Sequence, residues 1–462
     1  MREVIQYFEA NFNKHVEELK TLVRIPSVSF DGFSPDEVKR SAKAVEVLLK
    51  KSGLENVRIL EINGSHPYVY GEWLKAKGKP TLLLYAHHDV QPPGRDEVWV
   101  SPAFEPSIRK AQGGDRLFGR GSADDKAGVV IHTASISSFL ETIGSLPVNV
   151  KVIIEGEEEI GSHHLREFVN TYKDLLQADA LILTDAGNFD MGVPALTVAL
   201  RGIVAVEVEL RALTKTIHSG VWGGPIPDSA IALCKVLGSL VDEKGRIKIP
   251  GVLEQVRPLD KKEQEELNRI PCNEKTFREQ AGLLPNVELL KEGPSVLSQT
   301  WRFPSITVNA IQASSRKQSG NIINDSAWAK VSIRLVPDMD PEKVLKLLQD
   351  YIARQVPWGL ELNIKVEAAS GAWSTDTSAP IFNVALNALE KGYGVKPFKL
   401  GMGGSIPFVA PLTETLGNVP ALLVGAEDPY TNAHGENESL LLSDFKKACL
   451  SQIYMFSELS KR

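Results

Sequence analysis

Nine side chains of metal-ligating type stand at the ends of five segments of this chain. The segments read TLLLYAHHD (Thr81–Asp89), GRGSADDK (Gly119–Lys126), KVIIEGEEE (Lys151–Glu159), ALILTD (Ala180–Asp185) and ALLVGAEDPYTNAH (Ala421–His434). Their tails supply His87, Asp89, Asp124, Asp125, Glu157, Glu158, Glu159, Asp185 and His434. Imidazole and carboxylate without thiolate suit zinc, manganese or cobalt better than calcium. Two such ions about 3.5–4 Å apart need a bridging carboxylate and terminal ligands on each side. A pair so held lowers the pKa of a shared water, and a neighbouring glutamate can take its proton and pass it to a leaving group.

Not every candidate is expected to serve. Glu157 reads as a solvated charge at a helix start, where the dipole favours acids, and Asp125 as a hydrogen-bonding neighbour. His88 is expected to pack beside the site, the His163–His164 pair to lie on a helix surface, and His132 to be a satisfied core histidine. HExxH is absent, and Gly401–Gly404 matches neither GxGxxG nor a phosphate loop.

The elements that must position these groups follow from patterning. Four of the five segments open on short Val/Ile/Leu runs, the mark of strands buried on both faces of a parallel sheet. Such strands present their carboxyl ends to the crevice where α/β sheets bind ligands. Up to about Leu196 these runs alternate with helix-like stretches such as Ser41–Ser52 and Gly128–Ile143, an α/β rhythm with flanking helices. The texture then changes. Val204–Leu210, Lys330–Pro337 and Leu362–Ala368 alternate apolar and charged residues, as half-exposed antiparallel strands do. Helical patterns at Asp228–Val241 and Pro341–Ala353 would cover one face of that small sheet. Gly245–Pro304 is expected to form long loops with a short helix. From Ser374 the first texture returns, with a helix at Ile381–Lys391, the strand ALLVG and a closing helix at Leu441–Leu459. We therefore expect a discontinuous catalytic domain, 1–198 and 372–462, and an inserted α+β domain, 199–371.

A chain of 462 residues exceeds the roughly 250–300 at which a single core stops growing. Its net charge of −6 argues against general nucleic-acid binding and against an anionic membrane surface. No apolar run approaches the ~20 residues of a spanning helix, and the N-terminal amphipathic pattern lacks a secretory apolar core. Cys234, Cys272 and Cys449 lie far apart and form no CxxC pair, so buried thiols in a reducing cytoplasm are expected.

Taken jointly, the strings YAHHDVQPPG, GRGSADDKAG, EGEEEIGS, LTDAGNF, IHSGVWGG and NAHGENE resemble the M20 metallopeptidases, with the nearest likeness to carnosinase-like cytosolic dipeptidases. The likeness runs from LVRIPSVS (Leu22–Ser29) to the His434 segment. It implies a zinc-exopeptidase-like catalytic domain, an inserted lid and dimerisation domain, and two divalent ions per subunit: zinc or manganese, with cobalt possible. It implies His87, Asp124, Glu159, Asp185 and His434 as ligands, with Asp124 bridging, His87 paired with Asp185 and Glu159 with His434. Asp89 would orient His87, Glu158 would be the general base, and the peptide bond between the two aspartates would be cis. In the insert, His218 would reach across a homodimer to the oxyanion of the partner's site. Arg334 would hold the substrate's C-terminal carboxylate, and Asn321, Gly404 and Ser405 would touch substrate. The chain departs from the family at Gly401–Met402, where relatives commonly carry Arg-Glu, which alters the wall that recognises the substrate side chain.

The expected activity is hydrolysis of dipeptides or short peptides with a free C-terminal carboxylate. Two alternatives stand beside it: an N-acyl amino acid amidohydrolase on the same scaffold, and a non-catalytic metal- or peptide-binding protein.

Overall fold

The computed structural model describes residues 1–271, 273–290, 295–317, 319–403 and 409–461. Its contacts separate two units: Met1–Val198 with Thr375–Leu400 and the described residues from 409 onward, and Ala199–Ser374 with residues 401–403.

At the centre of the first unit, four parallel strands lie in the order Asn149–Glu155, Thr81–His87, Ala180–Leu183, Ala421–Leu423. As expected, the centre of the sheet is parallel. Antiparallel neighbours extend it: Tyr68–Trp73 and Glu55–Leu60 on one side, Ala195–Leu200 on the other. The central runs are fully buried at Leu83, Leu84, Val150, Val152, Leu181, Ile182 and Leu422. Each such residue contributes about 1.5–3 kcal/mol over its exposed state. Those rows hold the register in which His87 stands opposite Glu155.

Helix Lys126–Ile143 is buried on all sides from Lys126 to Phe139, as an apolar helix inside a layered core must be. It packs on strand Thr81–His87 and between helices Arg2–Val23 and Leu442–Leu459. The last of these packs in turn on helix Pro380–Tyr393. The segment before Asp124 follows a strand, but not one of the main sheet. Gly114–Phe118 lies in a small antiparallel sheet between Ser439–Leu441 and Ser107–Ala111. Two glycines permit close approaches at the strand ends. A Cβ at Gly425 would meet the Ala186 carbonyl oxygen at 1.7 Å, and one at Gly156 the Pro67 carbonyl oxygen at 2.4 Å.

The second unit is a four-stranded antiparallel sheet in the order Ser305–Gln312, Ser326–Leu335, Gly202–Arg211, Glu361–Ser370. Alternate residues are buried, Val204, Val206 and Val208 on one strand and Ala329, Val331 and Ile333 on the next. They share a core with Leu233, Val236, Val344 and Leu348 of helices Ser229–Ser239 and Pro341–Gln355. Asp228 and Asp340 cap those helices through their side chains. Two expectations need correction. The edge strand Ser305–Gln312 was not anticipated, because its mixed exposure blurs the alternation. Among its described residues the Gly245–Pro304 region carries three short α-helices, Lys261–Asn268, Glu274–Gln280 and Val296–Arg302, and a 3-10 turn at Leu253–Gln255, rather than one short helix. Among the described residues no helix is long and apolar enough to cross a membrane.

Candidate metal centre

Strand Thr81–His87 ends in His87, fully buried. The Nδ1 atom of His87 lies 3.1 Å from the Asp89 carbonyl oxygen and 3.4 Å from its Oδ1. That contact makes Nδ1 the donor and leaves Nε2 as the ligating atom. Nε2 stands 3.0 Å from Asp124 Oδ1 and 3.9 Å from Asp185 Oδ1. On the other side of the same carboxylate, His434 Nε2 is 2.9 Å from Asp124 Oδ2 and 3.3 Å from Glu159 Oε2. Two triads therefore gather, His87–Asp124–Asp185 and Asp124–Glu159–His434, with Asp124 common to both. Ligands about 2.0–2.2 Å from a tetrahedral ion stand about 3.4 Å apart, so this donor set fits a pair of divalent cations. The Asp124–Asp125 peptide bond is cis.

The electrostatics point the same way. Burial pushes Glu158 and Glu159 well above the usual carboxylate range, and neighbouring acids add to it. Burial, with Asp124 and Asp89 nearby, pushes Asp185 up to about 6 against the pull of His87 and His434. Contact with Asp124 raises His434 to about 9. Burial alone would lower His87, but Asp124 and Asp89 reverse it and hold the imidazole well above its ordinary value. Burial would also raise Asp124, and the two imidazoles instead hold it well below. Acids outnumber the positive groups facing them, which is the field a cation relieves.

Asp89 is fully buried and holds more than His87. Its Oδ1 accepts from Glu158 N at 3.2 Å and its Oδ2 from Glu159 N at 3.1 Å and Ser29 Oγ at 2.7 Å. It thus pins the Glu158–Ile160 turn that carries both glutamates. Asp125 caps helix Lys126–Ile143 through Gly128 N and accepts from His87 N. Lys126 is buried, pushed down to about 7 by that burial, and donates to the Leu22 and Ile25 carbonyls. His88 Nε2 donates to the Pro67 carbonyl beside the site, and His132 sits in the core against Tyr85 and Gln452.

Several residues that shape the centre escaped the sequence reading. Glu438 is fully buried and accepts from Gly121 N, Ala123 N and Asp124 N and from Arg120 Nη1 at 2.7 Å. Arg120 also donates to the His434 carbonyl at 3.0 Å. This pair ties the Asp124 loop to the His434 loop. Gln91 clamps Glu159, through its backbone N at 3.0 Å and its side-chain Nε2 at 2.7 Å. Glu427 runs alongside Gly187, and burial with Asp124 and Asp185 nearby pushes its carboxyl well up. Glu438, Arg120, Gln91 and Glu427 all lay within quoted strings, but nothing in their spacing distinguished them.

One expectation is overturned. Glu157 is not a solvated charge: it is fully buried and hydrogen-bonded by Tyr68 and His164. His164, partly exposed at the start of helix Leu165–Thr171, bonds Glu157 through both its ring and its backbone N.

The remaining candidates lie in the second unit. His218 is exposed in a two-residue ladder with Ile322, and its Nδ1 accepts from Gly220 N at 3.0 Å. Asn321 is exposed and accepts at its carbonyl from Ser219 N. Arg334 is half-buried between Ser305 and Ile203, and burial lowers it. Arg201, not singled out from sequence, senses the Arg334 charge and donates to the Gly403 carbonyl at 3.0 Å. Gly401 makes room for Trp301, whose Cβ and Cγ lie 2.9 Å from the place of an added Cβ. Gly404 and Ser405 lie outside the described residues.

A family model described as peptidase family M20/M25/M40 matches residues 83–453. The chain is 30% identical over 447 residues to a cysteinylglycine-S-conjugate dipeptidase of Corynebacterium striatum, covering 96% of this chain and 94% of that protein. It superposes on the dipeptidase Dug1p of Saccharomyces cerevisiae with a TM-score of 0.90 at 27% identity, covering 100% and 98% of the two chains. Human carnosine dipeptidase 1 superposes with a TM-score of 0.89 at 25% identity, covering 100% and 99%.

Proposed function

The chain belongs to peptidase family M20/M25/M40, and from that premise we propose that it is a metallodipeptidase acting on dipeptides and short peptides with a free C-terminal carboxylate. The observation that carries this reading is the shared carboxylate: each oxygen of Asp124 faces one imidazole, within 3.0 Å, while Glu158 stands 4.0 Å from His87 Nε2. His87, Asp124, Glu159, Asp185 and His434 would hold two divalent ions, zinc or manganese with cobalt as a third candidate, which would polarise the scissile carbonyl and acidify the attacking water.

The chain's own residues do the rest. Glu158 takes the proton from the attacking water and delivers it to the departing amine; its raised pKa suits a group that must hold a proton briefly. Asp89 fixes the His87 ring and the turn beneath Glu158. His218 acts from the partner subunit of a homodimer. With Nδ1 accepting from Gly220, its hydrogen sits on Nε2, free to donate to the developing oxyanion. The Arg334 guanidinium pairs with the substrate's terminal carboxylate and so limits substrate length. Asn321 contacts the substrate, and the 199–371 insert serves as lid and dimerisation element.

The deacylase alternative predicts tolerance of a blocked amine. Metal-stripped protein reloaded singly with zinc, manganese or cobalt is to be assayed on a dipeptide panel and on the N-acetylated counterparts. Hydrolysis of free dipeptides, lost in Glu158→Gln with metal content retained, is the expected result. Preference for the acetylated substrates would replace the reading with the deacylase one. Equal inactivity of wild type and Glu158→Gln across both panels would end it.

A further inference from the structure

Behind the Glu158–Ile160 turn lies a set of polar side chains that the chemistry above does not use. The Glu157 carboxylate accepts four hydrogen bonds. Oε1 takes Tyr68 Oη and His164 N, both at 3.0 Å, and Oε2 takes His164 Nδ1 at 3.0 Å and His66 N at 3.2 Å. The donors come from the His66–Tyr68 segment and from the residue that opens helix Leu165–Thr171. Tyr68 Oη also lies 3.0 Å from Glu155 Oε1, and Tyr85 Oη lies 2.8 Å from Glu155 Oε2. The Tyr68 ring is itself fixed, stacked on Phe168 with centroids 3.8 Å apart and planes 14° apart.

A fully buried carboxyl group so supplied cannot shift without leaving buried polar groups unpaired. Glu157 immediately precedes Glu158. The backbone of residues 157–159 is therefore held from two sides, by Asp89 through two N–H groups and by Glu157 through its own side chain. The two catalytic-type glutamates differ in what else restrains them. Glu159 has the Gln91 clamp on its carboxylate. Among the described residues no hydrogen bond fixes the Glu158 carboxylate, so its aim is set by its backbone.

We propose that Tyr68 and Glu157 are positioning residues for Glu158: they fix the turn from behind and thereby set kcat, while leaving metal affinity to Gln91 and Asp89. This rests on the reading of Glu158 as the proton carrier. Orientation matters here because a proton acceptor has to lie within about 2.6–3.2 Å of the oxygen whose proton it takes.

The test is Tyr68→Phe, which removes one hydroxyl and keeps the ring on Phe168, with Glu157→Gln as a second variant should the first not fold. Both are assayed metal-saturated on a dipeptide beside wild type, Glu158→Gln and the Tyr68→Phe/Glu158→Gln double variant. The expected result is a kcat lowered about 10–100-fold, with KM and the metal dissociation constant within about twofold of wild type. The double variant should be no slower than Glu158→Gln alone, since residues acting as one unit are not additive. A merely structural role would lower the folded fraction without touching kcat per metal-loaded site. The inference is overturned if Tyr68→Phe and Glu157→Gln keep wild-type kcat, if excess metal restores the loss, or if the losses add in the double variant. Should wild type be inactive, or Glu158→Gln match it, the functional reading fails instead, and the two failures are thus told apart.

Discussion

Replacing Glu438 by glutamine should loosen the centre without touching a ligand. Glu438 is fully buried and accepts three backbone N–H groups, from Gly121, Ala123 and Asp124, together with the Arg120 guanidinium. Glutamine keeps one oxygen and turns an NH2 toward donors that then have no acceptor. If the oxygen stays on the Ala123 and Asp124 side, the amide faces Gly121 N and Arg120 Nη1. Breaking a buried ion pair from one side costs about 3–5 kcal/mol, and an unsatisfied buried N–H about 1–3 kcal/mol. Arg120 keeps its bonds to the Pro92 and His434 carbonyls, so a cost no larger than the ion-pair term alone, about 3–5 kcal/mol, is expected. At about 2 °C per kcal/mol for a large domain, the midpoint of thermal unfolding should fall by about 6–10 °C. Because the lost bonds hold the backbone on which Asp124 and His434 sit, metal affinity should fall about 10–100-fold. Differential scanning calorimetry of the metal-free and loaded protein, with metal titration by calorimetry, reads both quantities. A variant with unchanged metal affinity and a midpoint within about 1 °C of wild type would refute the claim that Glu438 couples the two loops.

Three further outcomes follow from the same geometry. Gln91→Ala removes the side-chain half of the Glu159 clamp and leaves the backbone half, so metal affinity should drop about tenfold with kcat at saturating metal retained; unchanged affinity in a titration refutes it. The metal-free protein holds a proton on His434 up to about pH 9, because Asp124 stabilises the imidazolium. Metal must expel that proton, so its apparent affinity should rise by about tenfold per pH unit between about 6.5 and 9 for this one site. The same raised pKa gives the metal-free fold a contribution present below the unfolded value and lost as pH rises through about 9. A flat affinity across that window refutes the assignment. Finally, if His218 serves the partner's site, separately inactive His218→Ala and Glu158→Gln chains, mixed and allowed to exchange, should recover about a quarter of wild-type activity, since half the dimers are hybrid and each has one intact site. No recovery, with hybrid formation verified by mass, sinks the trans role.

What could be read along the chain was local. Strand runs in Thr81–His87, Ala180–Leu183 and Ala421–Leu423 are apolar because both faces are buried, and burial leaves that mark on every residue of the run. The alternation in Gly202–Arg211 marks a half-buried strand for the same reason. The edge strand Ser305–Gln312 left no comparable mark, because much of it faces solvent.

Glu157, Glu158 and Glu159 show where such reading stops. Three consecutive acids have one composition and three environments: Glu157 buried on Tyr68 and His164, Glu158 aimed by its backbone, and Glu159 clamped by Gln91. Glu438 and Arg120 are separated by over three hundred residues and meet only because Gly114–Phe118 pairs with Ser439–Leu441. The amino-acid sequence by itself determined the donor types, the α/β character and the two textures of the chain, since each depends on neighbours a few residues away. Which oxygen of Asp124 faces which imidazole, and which acid is buried, was decided by register and loop packing between distant segments, a matter of tertiary structure alone.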